Sequence, residues 1–349
     1  MKISKNIEPK SHPKHYLLHR YWGRKPHNVV NEYIKAYSKK GDTVLDPFQG
    51  SGVVIIESLK ESRNAVGVDI NPISCLLTKI TIENINLNRL EKIFYEIFTT
   101  TQLEYSKYYK SSCINCKNSG ELINSIWEQE KLKLIKVKCK KCGETNRKSN
   151  DEDIKLFNHA KRKLFKLSKE NKIFYPKDLI LQYVKRSGKT NIDQLYSERA
   201  LLILGSIYKK ILLIKNTKYR DCLMLCFSSM LSSVSKMIPG NEKNIRGRSG
   251  WVVSKLWVPK IHTEKNIFIT FENRFKKMKE GKEELNLNSK NAKIFNKSSE
   301  KMNFLRNQSI DYVFTDPPYG ESIAYLGLSM FWNSWLQKKV KYKSEIIYD

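Results

Sequence analysis

The sequence predicts an α/β fold in which a parallel sheet, formed by two separated parts of the chain, is interrupted by a large insertion. An apolar strand at 43–46 is followed by a glycine turn and an apolar helix, and a second strand at 65–69 ends in an acid. Strands resume only at 292–295 and at 312–316. In open sheets of this kind, ligands bind at the carboxyl ends of the strands. We therefore expect a partial sheet with a site at that edge.

The composition favours a globular chain with a polyanionic partner. The 349 residues are enough for about two or three domains. Lys and Arg number 64 against 35 Asp and Glu, which gives a formal charge of +29. Because phosphate contacts by such cations supply most non-specific affinity for nucleic acid, nucleic acid is the expected partner. The alternative is a solvated, lysine-rich surface.

Hydropathy and cysteine content exclude a membrane protein and a disulfide scaffold. No apolar segment reaches the roughly 18 to 20 uncharged residues of a membrane span. The basic amino terminus is not followed by an apolar signal region. The chain has seven cysteines, which is an odd number, and four of them form two C-x-x-C pairs. This pattern favours metal binding over disulfide bonds. We expect a cytoplasmic protein.

The turn after the first strand has the features of a Rossmann-like nucleotide-binding site. A helix at about 26–38 precedes the strand, which ends at Asp46. Gly50 and Gly52 then allow a tight turn and a close approach of the backbone to a ligand. Asp69 ends the second strand, where an acid accepts hydrogen bonds from ribose hydroxyls. The alternative is an ordinary glycine turn with a surface aspartate.

Two motifs carry a resemblance to a known family. The run 46–52, Asp-Pro-Phe-Gln-Gly-Ser-Gly, resembles the S-adenosylmethionine motif of amino-group DNA methyltransferases, and Asp316-Pro317-Pro318-Tyr319 resembles their catalytic tetrapeptide. Trp-Gly-Arg-Lys-Pro at 22–26 is similar to the segment before the first strand of zinc-ribbon adenine-specific methylases. The resemblance implies a Rossmann-like sheet that binds S-adenosylmethionine. The implied cofactor-binding residues are Trp22, Lys25, Asp46, Pro47, Phe48, Gly50, Ser51, Gly52, Asp69 and Asn71.

The tetrapeptide implies methylation of an exocyclic amine, a poor nucleophile because its lone pair is delocalised into the base. In a base flipped out of the duplex, Asp316 and the Pro317 carbonyl would accept hydrogen bonds from the amine, and Tyr319 would stack on the ring. Asp in the first position favours adenine N6 in the family. The alternatives are cytosine N4, an RNA base, or a non-catalytic DNA- or cofactor-binding subunit. Taken alone, the tetrapeptide is also consistent with a proline-rich turn that ends a core strand.

Two C-x-x-C pairs in the insertion predict a structural zinc ribbon. Cys113 and Cys116 are separated by 22 residues from Cys139 and Cys142. Four thiolates complete the tetrahedral coordination of zinc and leave no position open for catalysis. Four free thiols are the alternative.

A glycine- and cation-rich loop at 240–251 follows helices expected at 197–214 and 219–237. Arg246 and Arg248 are candidates for phosphate contact and Trp251 for stacking on a base, which makes the loop a weak prediction of DNA recognition. The alternative is a connector with a buried tryptophan.

The resulting division has four parts: 1–90 and 289–349 form the methyltransferase domain, 91–150 the zinc ribbon, and 151–288 a mainly helical insertion. The family sheet has the order 3-2-1-4-5-7-6, but only strands one to four are recognisable. The catalytic strand is then expected at an exposed edge beside an uncovered aromatic helix at 326–336. Either a second polypeptide supplies the missing strands, or the chain is a fragment.

Overall fold

The computed structural model describes residue 3 and residues 6–346 except 187, 242–244, 246–250, 252–254 and 320–322, with residue 343 as backbone alone. The helices are α1 (His27–Tyr37), α2 (Val53–Lys60), α3 (Pro72–Ile82), α4 (Leu87–Tyr105), α5 (Asp151–Lys169), α6 (Glu198–Leu212), α7 (Thr217–Leu231), α8 (Ile267–Glu283) and α9 (Tyr325–Asn333). The strands are β1 (Thr43–Asp46), β2 (Asn64–Asp69), β3 (Lys110–Ser112), β4 (Ser119–Glu128), β5 (Lys131–Cys139), β6 (Gly143–Lys148), β7 (Ile261–Lys265), β8 (Ala292–Asn296) and β9 (Tyr312–Val313). Within these ranges no helix is long and apolar enough to cross a bilayer.

The chain divides into two compact units, Met1–Leu87 with Lys276–Asp349, and Asn88–Phe275. The first unit contains a parallel sheet in the order β8-β2-β1-β9. In the numbering of the predicted strands this order is 3-2-1-4, so the predicted α/β class with a Rossmann-like partial sheet is confirmed. Residues that lie opposite each other include Asp46 and Gly67, Asp69 and Asn296, and Leu45 and Val313.

The core of the first unit lies between this sheet and helices α1 and α2. Val44 of β1 and Ile55 and Ile56 of α2 are fully buried, and Ile34 of α1 packs in the same cluster. Parallel strands are covered on both faces, which explains the nearly continuous apolar runs of β1 and β2. Polar residues therefore appear where the strands end, and this places Asp46 and Asp69 at the same edge of the sheet.

Strand β9 lies at the edge of the sheet, and none of the described residues pairs with its outer side. The helix beside it differs from the prediction. Trp332 of α9 and Trp335 in the turn that follows it are 1% and 0% exposed, and the Trp332 ring centroid lies 5.0 Å from that of His19 and 5.1 Å from that of Trp22. The expectation of an uncovered aromatic helix is wrong, because the segment before α1 packs on it.

The second unit contains an antiparallel sheet in the order β3-β4-β5-β6, and β7 also pairs with β4. The predicted ribbon, 91–150, and the predicted helical insertion, 151–288, thus share a sheet, since β7 comes from the latter. Phe94 of α4 stacks on Phe275 of α8 with ring centroids 3.8 Å apart, so the first and last helices of this unit pack together.

A buried ion pair joins three elements of the second unit. Arg199 of α6 and Glu264 of β7 are 1% and 3% exposed at their side chains, with Nη2 and Oε2 2.8 Å apart. Glu264 also accepts hydrogen bonds from the Ser197 hydroxyl at 2.7 Å and the Trp127 indole at 2.9 Å. Burial alone would raise the pKa of Glu264, but the Arg199 guanidinium holds it below its usual value. The pair therefore fixes β7 against α6 and β4.

Candidate functional site

The turn between β1 and α2 is shaped by two glycines. Asp46 Oδ1 accepts the N–H of Phe48 at 3.0 Å, which folds the chain back at the end of β1. Gly50 and Gly52 have φ of +50° and +79°, in the left-handed region that favours glycine. A Cβ at Gly52 would lie 2.4 Å from Oγ1 of Thr78. Both backbone conformation and space therefore require glycine at position 52.

Asp69 holds this turn against the end of β2. Its carboxylate accepts the backbone N–H groups of Gly50 at 2.9 Å and Asn71 at 2.8 Å, and the hydroxyl of Ser74 at 2.8 Å. Burial raises the pKa of Asp69 to about 6, although these hydrogen bonds oppose the rise. The carboxylate is therefore fixed in position and poorly solvated.

The tetrapeptide follows β9 and faces the same edge. The Lys25 ammonium forms an ion pair with Oδ2 of Asp316, and the Tyr319 hydroxyl donates to Oδ1 at 3.0 Å. Tyr319 is 73% exposed. Both oxygens of Asp316 thus have a partner, while the Tyr319 ring has an open face.

Helix α9 is connected to the residue after Asp69. The side-chain amide of Asn71 donates to the Ser329 hydroxyl at 2.7 Å, and the Asn333 amide donates to Oδ1 of Asn71 at 3.0 Å. At the start of the helix, Tyr325 stacks on Tyr21 with ring centroids 6.2 Å apart. These contacts bring the segment before α1, the end of β2 and α9 to one place.

A cleft in the first unit brings together most of the predicted site residues. Pro47 and Gly52 belong to the turn but do not line it, whereas Tyr21, Tyr325 and Glu345 line it and were not among the predicted site residues. Tyr21 directly precedes the Trp-Gly-Arg-Lys-Pro run at 22–26, whereas Glu345 is far in sequence from both motifs and belongs to no recognisable pattern. The predicted residues that line the cleft are Trp22, Lys25, Asp46, Phe48, Gly50, Ser51, Asp69, Asn71, Asp316, Pro317, Pro318 and Tyr319.

The cleft concentrates acidic side chains. Asp46, Asp69, Asp316 and Glu345 line it together with one ammonium group, that of Lys25. Burial raises the pKa of Asp46 to about 8, and the charges of Asp69 and Asp316 add to the rise. Desolvated carboxylates favour ligands that bring hydrogen-bond donors or a positive centre. The cleft is therefore suited to a cationic ligand that carries hydrogen-bond donors.

The predicted metal ligands converge in the second unit. Their Sγ atoms all lie within 4.8 Å of one another. A tetrahedral zinc with Zn–S bonds of about 2.3 Å requires sulfurs about 3.8 Å apart, so the cluster fits zinc. Lys117 and Gly143, each following the second cysteine of a pair, have φ of +62° and +73°, so the two turns share a left-handed residue at the same position. The cysteines are Cys113 and Cys116 between β3 and β4, and Cys139 and Cys142 at the β5–β6 turn.

The predicted nucleic-acid loop is described only in part. Arg246 and Arg248 lie outside the described residues. Trp251 is 2% exposed, and its indole N–H donates to the carbonyl of Lys255 at 2.9 Å. An indole in this position has no open face for a base. For Trp251 the alternative of a buried tryptophan therefore describes the structure, and the stacking role is not supported.

Comparison with known proteins gives matches over limited parts of the chain. Residues 3–80 match the model of a DNA methylase family. The Type II methyltransferase M.MjaII of Methanocaldococcus jannaschii is 29% identical over 102 residues, 29% of this chain and 19% of that protein. M.BglI of Bacillus subtilis is 41% identical over 56 residues, 16% of each chain. M.BsoBI of Geobacillus stearothermophilus is 41% identical over 73 residues, 20% of this chain and 14% of that protein.

Proposed function

We propose that this chain transfers a methyl group from S-adenosylmethionine to an exocyclic amine of a DNA base. The proposal starts from the resemblance to the amino-group DNA methyltransferases, which the family match and the Type II relatives confirm. One observation carries the proposal. The glycine turn after β1 and the tetrapeptide after β9 line one cleft, because β1 and β9 are parallel neighbours. The aligned stretches span a fifth or less of these relatives, so the activity is proposed from the site.

The cofactor half of the cleft fits S-adenosylmethionine, which supplies an electrophilic methyl group on a cationic sulfur. Gly50, which is left-handed and lines the cleft, allows the backbone to approach the ligand closely. Asp69 stands where ribose hydroxyls would donate to it. Asp46, with its raised pKa, becomes easier to ionise beside a positive centre. These residues bind and orient the cofactor.

The base half is built on the tetrapeptide. The exposed ring of Tyr319 offers a stacking face, and Asp316 and the Pro317 carbonyl would accept the two amine hydrogens of a flipped base. To do so, the amine takes the place of one present partner of Asp316, either the Lys25 ammonium at Oδ2 or the Tyr319 hydroxyl at Oδ1. The lone pair then points toward the cofactor half, and holding the two reactants in line contributes up to about 7–11 kcal/mol. No covalent enzyme intermediate is required.

Adenine N6 is the favoured target, because the tetrapeptide begins with Asp, and DNA is favoured over RNA because all three relatives are named Type II methyltransferases. Cytosine N4 is the second candidate. The four cysteines are proposed to hold a structural zinc, and Arg246 and Arg248 to contact DNA phosphate. A second polypeptide along the open edge of β9 has no support beyond that edge, and methyl transfer by the isolated chain would refute it.

Transfer of label from S-adenosylmethionine to DNA, followed by nucleoside analysis, tests the function. Asp316→Ala should lower the rate at least about 100-fold, the usual cost of removing one preorganised polar group from a reaction centre, while cofactor affinity is retained. Asp151→Ala, an exposed acid of α5, is the matched control and should leave both unchanged. Label in RNA but not in DNA would overturn the DNA assignment, and methylated cytosine would overturn adenine.

A further inference from the structure

The segment 341–346 returns to the cleft. Tyr342–Ser344 form a single 3-10 turn, and Glu345 and Ile346 then line the same cleft as Asp46 and Asp69. Ile346 is 44% exposed and Glu345 is half-buried. An acid and an apolar side chain thus border a site whose other residues come from the segment before α1, the two motifs, the start of α2, the end of β2 and the start of α9.

Glu345 also contacts the start of α9. Its Oε1 accepts the backbone N–H of Leu326 at 3.1 Å, one of the N–H groups that a first helical turn leaves without a partner. A carboxylate at this end is favoured by the helix dipole. Because α9 holds Asn71 through Ser329 and Asn333, Glu345 is connected to the residue that follows Asp69.

The helix cap does not account for the burial of this acid near other acids. Burial raises the pKa of Glu345, and the negative charge of Asp69 adds to the rise. An isolated helix cap is equally well served in open solvent, where the carboxylate keeps its hydration. A ligand whose hydrogen-bond donors reach both acids would explain why Glu345 lies in the same cleft as Asp69.

We propose that Glu345 is a further cofactor-binding residue, whose carboxylate accepts a hydrogen bond from the nucleoside part of S-adenosylmethionine on the side of Asp69, with segment 341–346 covering that part of the cleft. This inference rests on the proposed function, since it names another residue of the same site. The nucleoside is specified because Glu345 lines the same cleft as Asp69, which is the acid expected to bind ribose.

Titration calorimetry with S-adenosylmethionine and with 5′-methylthioadenosine, which keeps the nucleoside but lacks the amino acid and the sulfonium charge, tests the proposal. Glu345→Gln removes the charge but keeps an oxygen that can accept the Leu326 N–H, so the fold should be retained. We expect affinity for both ligands to fall about tenfold, as for a lost hydrogen bond to a charged group. Glu283→Gln, an exposed acid of the same unit, is the matched control and should bind both ligands like the wild type.

Two results would overturn the inference. Unchanged affinity of Glu345→Gln for both ligands would show that the acid is a helix cap alone. A loss confined to S-adenosylmethionine would overturn the nucleoside assignment. If the wild-type chain binds neither ligand, the proposed function itself fails, whereas wild-type binding with unchanged Glu345→Gln leaves the proposed function in place.

Discussion

Replacing Gly52 by Ala should destabilise the first unit more than the same change at Gly41. The two glycines have similar backbone conformations, with φ of +79° and +89°, so each alanine bears a left-handed cost of about 1–2 kcal/mol. At Gly41 a Cβ meets nothing within 4 Å. At Gly52 it would lie 2.4 Å from Oγ1 and 2.6 Å from Cγ2 of Thr78. Overpacking of this kind adds about 1–3 kcal/mol.

Urea unfolding followed by intrinsic fluorescence measures the difference. We expect Gly41→Ala to lower the free energy of unfolding by about 1–2 kcal/mol and Gly52→Ala by about 2–5 kcal/mol. Adding Thr78→Ala removes both atoms of closest approach but leaves Cβ at 2.9 Å, so the double variant should recover part of the loss relative to Thr78→Ala alone. Equal costs at the two glycines, or no coupling with Thr78, would refute the steric reasoning.

Three further outcomes are expected. Burial raises the pKa of Asp46 in the folded chain to about 8, above its value in the unfolded chain. The protonated carboxyl group therefore stabilises the fold at low pH. This contribution to stability is lost as the pH rises from about 4 to about 8. A cationic ligand favours the ionised form of Asp46, so S-adenosylmethionine should bind more tightly as the pH rises through this range, and its binding should release a proton from Asp46. Calorimetry in buffers of different ionisation enthalpy measures the proton release, which Asp46→Asn should reduce. Cys113→Ser should remove a bound zinc, as measured by elemental analysis. It should also unfold the ribbon strands, as measured by circular dichroism, because metal binding and folding of such sites are coupled. Retention of one zinc per chain by this variant would contradict the assignment of Cys113 as a zinc ligand. Glu264→Gln leaves Arg199 buried without its counter-charge and should cost about 3–5 kcal/mol in urea unfolding, while a cost below about 1 kcal/mol would show that the pair is dispensable.

The sheet and the metal cluster were predictable because local patterns specify them. An acid or a tetrapeptide directly after an apolar run indicates where a strand ends, and parallel strands bring their carboxyl ends to one edge. That reasoning leads from Asp46, Asp69 and Asp316 to a common site. The spacing of the two C-x-x-C pairs leads in the same way to the sulfur cluster.

Features that depend on distant packing were not predictable. Trp332 was expected to be uncovered, because nothing near it in sequence indicates that the segment around His19 and Trp22 packs on it. Glu345 reaches the cleft through the path of the chain after α9. Strand β7 pairs with β4 across a long stretch of helices, and Trp251 is buried although it follows a glycine- and cation-rich stretch. In each case the information lies in tertiary contacts, which a local pattern does not contain.

The stacking of Phe94 on Phe275 lowers the entropy cost of closing the parallel sheet as the chain is synthesised. Asp69 and Asn296, neighbours at the end of the sheet, are 227 positions apart, so β2 emerges from the ribosome long before its partner β8. The second unit is continuous in sequence, from Asn88 to Phe275, and is complete before β8 is made. Once it folds, α4 and α8 hold its two ends together, and the remaining entropy of closing the sheet is that of short connections and not of a long flexible loop. Early folding of the insertion therefore shortens the time for which β1 and β2 expose apolar surface to aggregation.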